Sequence, residues 1–198
     1  MHGIILKGLK DFTIEQYDEA TWNRIRDEAD VERRLYVPVT EYPDEHVFEL
    51  VTTASEISGV DPPILLRAFG RFLVPQLVQT YGVHVEKDWD GLELIENVEE
   101  YIHMALRAKD MADFTPPAVD ARRLDENRVV VRYNSDRQLC EVAIGILVGI
   151  GEFYDESYTV TESQCMHDGA PKCEIVVERE IPTSLDNGDD SMNSVRTP

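Results

Sequence analysis

The stretch RVVVRYNSDRQLC, Arg128–Cys140, decides how the chain is read. It opens as an apolar, β-branched run and gives way to LCEVAIGILVGIGEFY (139–154), which has helical character. Between the two stand Tyr133, Ser135 and Arg137, each two residues from the next. In an extended chain that spacing sends a phenol, a hydroxyl and a guanidinium to one face. A guanidinium is a permanently charged planar donor that grips a carboxylate at two points, and the two hydroxyls add further donors. The triplet reads either as a carboxylate clamp or as a strand end whose polar residues face water.

Outward from that stretch the chain divides by character. From about Arg122 the pattern is strand, tight turn, strand (RRLDENRVVVRY), and after the 139–154 helix YTVTESQC and KCEIVVERE flank the turn HDGAP as a hairpin. The N-terminal part is helical. GIILKGLKDFTIEQY carries Ile5, Leu9 and Phe12 on one face, DEATWNRIRDEAD follows, and HVFELVTTASEISG stops at Gly59. DPPILLRAFGRFLVPQLVQTYG starts on prolines and is expected to kink or divide at Pro75. LELIENVEEYIHMALRAK is a further helix, and DFTPPAVDA reads as a loop. Helices followed by a small antiparallel sheet with a helix packed on it give an α+β fold. The 198 residues suit one domain over 1–180, with the polar segment 181–198 as a disordered acidic tail.

Charge excludes several roles. Against 39 acidic residues stand 19 basic ones, a net charge of −20. Such a field repels phosphate backbones and anionic lipid, so neither nucleic acid nor a membrane is expected as a partner. No apolar run approaches the roughly 20 residues of a membrane span, and MHGIILKGLKDF lacks the pattern of a secretory leader. A cytoplasmic location is expected. Lysine is scarce, which suits a halophilic source with molar salt in its cytoplasm; an ordinary acidic protein is the alternative.

Two further features ask for chemistry. On a helical wheel the apolar arc centres on Ile95, Val98, Ile102 and Leu106, and His103 falls at its edge, between Leu92 and Glu96. That is the place of a boundary histidine, or of an axial ligand for iron if the helix lines a pocket. Cys140, Cys165 and Cys173 are an odd number, which disfavours a disulfide framework and leaves core thiols or a metal site.

YNSDR, with His103 thirty residues before Tyr133 and Pro117 closing TPP, makes the chain similar to the haem nitric oxide/oxygen binding family, H-NOX. HGIILKGL and LLRAFGRFLVPQL also resemble their family counterparts, and the match runs in order over about 1–180. The resemblance implies a stand-alone gas sensor, not an enzyme, holding haem b. His103 would bond the iron, Tyr133, Ser135 and Arg137 would hold the propionates, and Pro117 would press on the porphyrin. Ile5, Leu9, Leu77, Val142 and Ile146 match positions around the distal pocket, and Val142 stands where oxygen-holding members carry a tyrosine. A wall of these apolar residues offers no donor to bound oxygen, whereas nitric oxide needs little such help. Nitric oxide would weaken the His103 bond, shift its helix and so signal to a partner such as a histidine kinase, a cyclic-dinucleotide enzyme or a chemotaxis receptor.

Some family members also bind zinc through three cysteines, at the places of Cys140, Cys165 and Cys173, together with a histidine. That histidine is Glu162 here, and His167 is the nearest replacement; buried free thiols are the alternative. Two rival functions remain. One is a non-haem regulatory or scaffold module of the same fold, using the hairpin as a structural zinc site. The other, an oxygen carrier or redox haem protein, is disfavoured by the apolar distal set. A thiol enzyme lacks a histidine and carboxylate constellation beyond His167. If the acidic surface is a salt adaptation, thermal unfolding should move to higher temperature from dilute buffer to molar KCl; a flat or falling curve gives the composition another cause.

Overall fold

The computed structural model describes residues 1–31, 35–38, 40–104 and 116–181. Helix α1 (Gly3–Gln16) is followed by α2 (Glu19–Glu28), which starts at Asp18 because that carboxylate accepts from the Thr21 amide at 2.6 Å. Helix α3 (Glu45–Ser58) ends on Gly59, whose φ of 70° is the left-handed stop that glycine takes without strain. Helix α4 (Pro62–Tyr81) begins on its proline pair and runs through Pro75 undivided. Helix α5 (Gly91–Asn97) opens with a reciprocal box between Asp90 and Glu93 and continues into a π-helical turn, Val98–His103. Leu106, Thr115 and the tail residues 182–198 lie outside the described residues.

The C-terminal part is β1 (Ala118–Asp125), β2 (Arg128–Asn134), α6 (Cys140–Phe153), β3 (Tyr158–Gln164) and β4 (Cys173–Arg179). All neighbours are antiparallel in the order β1-β2-β4-β3. The expected α+β order is therefore the observed one. Strand β1 starts earlier than Arg122, inside the supposed loop, with Ala118 paired to Asn134. Its inward residues there are only Val119 and Ala121, too small a signal to mark a strand until β2 supplies the ladder.

Two cores result. Leu6, Phe12, Trp22, Leu50, Phe69 and Leu73 pack among the helices, while Leu92, Ile95, Val129, Ile144, Ile175 and Val177 pack between α5, α6 and the sheet. Helices α4 and α6 join them. A Cβ at Gly70 would run into the carbonyl oxygen of Val142, and one at Gly145 into that of Arg67, so the two backbones touch. The ion pairs Arg67–Glu141 and Arg71–Glu152 flank this seam. Among the described residues no helix is long and apolar enough to cross a membrane.

Candidate functional site

Where the two cores meet there is a cavity, bordered by α1, α4, α5 and its π turn, β1, β2, the β2–α6 turn and α6. His103, Pro117, Tyr133, Ser135, Arg137, Ile5, Leu77, Val142 and Ile146 all line it. Leu9 does not. It lies one turn beyond Ile5, where α1 has turned inward against α4, with Gly8 facing Leu73, and it is buried in the helical core. Three residues on the wall carried no signal in the apolar pattern: Met1, the buried His2 and Tyr81, whose phenol is held above its ordinary pKa by burial. The wall is thus less uniformly apolar than the distal set implied.

The triplet reaches the cavity by a route other than strand alternation. β2 ends at Asn134; Tyr133 is its last inward residue, paired with Cys173 on β4. The chain then turns. Gln138 takes φ 50°, its amide bonds the Ser135 carbonyl at 3.0 Å, and the Ser135 hydroxyl accepts from the Arg137 amide at 3.3 Å. Burial pushes the Tyr133 phenol up to about 12, so it remains a donor at neutral pH. Arg137 donates through Nε to Asp44 at 2.8 Å, and Asp44 also meets the Met1 ammonium at 2.6 Å. Burial opposes the charge on Asp44, but these two cations prevail and hold its carboxyl below the ordinary range.

His103 ends the π turn. Its Nδ1 lies 3.0 Å from Glu99 Oε2, an oxygen that also accepts from the Val119 amide at 3.2 Å. With a carboxylate accepting, Nδ1 carries the hydrogen, and in the neutral ring the lone pair is on Nε2. A nitrogen ligand, apolar walls on α4 and α6, and hydroxyl and guanidinium donors on one cavity fit a flat, largely apolar cofactor with anionic groups.

A second cluster lies behind the triplet. Sulfurs of Cys140, Cys165 and Cys173 and a carboxylate oxygen of Glu162 lie within 4.8 Å of one another. Cys173 Sγ is 3.1 Å from Cys140 Sγ and 3.9 Å from Cys165 Sγ, and all three cysteines are free of disulfides. Among the described residues Glu162 Oε1 is buried without a hydrogen-bond partner. Burial raises the Cys173 thiol to about 11 and pushes that of Cys140 up as well. Three thiols and an unsatisfied carboxylate oxygen fit a tetrahedral cation. His167 is not in this set: it sits on the turn Met166–Asp168 with Nε2 2.9 Å from the Gln138 carbonyl.

A family model described as Haem-NO-binding matches residues 2–162. The chain belongs to this family. An H-NOX protein from Shewanella oneidensis in its Fe(II)NO ligation state is similar over 91% of this chain and 100% of that one, with 26% identity and a TM-score of 0.84. An unliganded Fe(II) H-NOX protein from K. algicida shares the fold at 18% identity and a TM-score of 0.81, covering 93% of this chain and 100% of that one. Comparison with curated protein sequences finds no match. H-NOX domains are haem-based gas sensors that signal to partner proteins; they are not enzymes.

The Asp44 pairing has a pH signature. A carboxylate held low contributes stability above its unfolded pKa, and that contribution is lost as pH falls through the folded value. Asp44→Asn should therefore unfold at lower urea than the wild type near about pH 7, and the gap should narrow toward about pH 2. A constant gap would remove the charge of Asp44 from the account.

Proposed function

We propose that this H-NOX chain is a cytoplasmic sensor of nitric oxide, holding haem b and reporting to a signalling protein. The observation that supports it is the meeting of His103, Tyr133, Ser135 and Arg137 on one otherwise mostly apolar cavity. When bound, haem supplies a ferrous centre that takes a diatomic gas. His103 offers Nε2 as its protein ligand. Arg137 and the hydroxyls of Tyr133 and Ser135 hold the propionates, with the guanidinium as the strong, charge-assisted partner. Pro117 borders the face near His103's helix, and Val142, Ile146, Ile5 and Leu77 keep water away from the gas side. None of these four supplies a donor, which favours nitric oxide over oxygen. Release of His103 would free the π turn from the cavity, and the shift of α5 against β1 would be read by a partner such as a histidine kinase, a cyclic-dinucleotide enzyme or a chemotaxis receptor.

Zinc belongs to the same proposal as a structural ion held by Cys140, Cys165, Cys173 and Glu162. The acidic surface fits a salt-rich cytoplasm.

One preparation tests both metals. Protein reconstituted with haem and reduced should show a Soret band that shifts at once with nitric oxide and no stable oxygen complex in air. His103→Ala should lose most of the haem and regain part of it with imidazole. Metal analysis should give close to one zinc per chain, lowered by Glu162→Ala and unchanged by His167→Ala. A protein that stays colourless when supplied with haem favours the non-haem scaffold of the same fold. A stable oxygen spectrum contradicts the selectivity, and Tyr81→Phe then reports whether that phenol supplies the bond. Zinc-free protein with three freely titrating thiols contradicts the metal site.

A further inference from the structure

We infer that Glu99 is a positioning residue for the iron-binding imidazole, fixing its tautomer and orientation and strengthening the donor at Nε2. The inference rests on the reading of His103 as the iron ligand and adds what sets the strength of that bond. Glu99 precedes His103 by four residues, and both lie within the π turn Val98–His103. Its Oε2 lies 3.0 Å from His103 Nδ1 and 3.2 Å from the backbone nitrogen of Val119.

The second contact decides the first. A backbone N–H can only donate, so Oε2 is an acceptor at this position. An ionised Glu99 can only accept, so the imidazole nitrogen facing it carries the hydrogen, and in the neutral ring the lone pair is on Nε2. A carboxylate accepting from the far nitrogen of a metal-bound imidazole draws that proton toward itself and raises the basicity of the near one. With haem bound, this would strengthen the bond from His103 to iron, favour ferric over ferrous iron and oppose loss of the histidine when nitric oxide binds. The same oxygen also ties the π turn to the second residue of β1.

Glu99→Gln keeps a side-chain oxygen able to accept both contacts and removes the charge. The variant should still take up haem, because His103 itself is unchanged. The iron–histidine stretching band in resonance Raman should fall, and the midpoint potential should rise. A tenfold change in the ferric-to-ferrous ratio, about 59 mV for one electron, is the scale expected of an outer-shell partner. The nitric oxide adduct should pass more completely to the form without histidine. Haem-loaded Glu99→Gln with unchanged band and potential overturns the inference and leaves His103 as the ligand. Wild type that takes up no haem overturns both together. Should the variant not fold, the wild type supplies the test. In its diamagnetic carbon monoxide form, the His103 Nδ1 proton should resonate far downfield and exchange slowly with water; a fast-exchanging, unshifted proton overturns the inference.

Discussion

Helices α4 and α6 touch backbone to backbone, and the cavity between the two halves of the molecule depends on that contact. Gly70 and Gly145 allow it, since a Cβ on either would collide with a carbonyl oxygen of the other helix. Side chains that would otherwise fill the seam are displaced to its sides. Phe69 and Leu73 of α4 then close the helical core, whereas Val74 and Leu77 of α4 and Val142 and Ile146 of α6 line the cavity. Moving the two helices apart would widen the cavity and unseat Val142 at once. Packed helices have discrete arrangements rather than a continuum, so a seam of this kind suits a two-state device.

Electrostatics poses the complementary constraint. An anionic cofactor must settle in a chain of net charge −20, and the positive charge has to be kept where it is needed. Asp44 holds Arg137 on the cavity wall from the neighbouring helical part, at a sequence separation of 93 residues. If Arg137 holds a propionate, as proposed, its guanidinium is already positioned by Asp44, and positioning in advance lowers the entropy lost on binding.

Much of the fold was legible because its signals are local. The helix stops, the apolar run of β2 and the turn residues of the C-terminal hairpin each act within a few positions. The site was legible less directly. Tyr133, Ser135 and Arg137 do share a cavity, yet the turn at Gln138 brings them there, which residue spacing alone does not encode. His103 fell at the edge of the wheel because the wheel assumes 100° per residue, and the π turn breaks that phase just before it. Glu162 joins the thiols through the β3–β4 pairing, while His167, closer in sequence to both cysteines, is taken by the Gln138 carbonyl. Glu99 could have been noticed from its four-residue spacing to His103, but its second bond needs β1 in place. For Glu162 and Glu99 the missing information is tertiary; for the triplet and His103 it is a departure of the local backbone from regular strand or helix geometry.

We propose that an imidazole delivered by a π turn is the protein's bond to iron in this cavity. The most direct measurement is a crystal structure of the reduced, haem-loaded protein without added gas. Iron is expected at coordination distance from His103 Nε2, with the propionates hydrogen-bonded to Tyr133, Ser135 and Arg137. Iron bound by any other side chain, or haem seated outside the cavity between α4, α6 and the π turn, would contradict it.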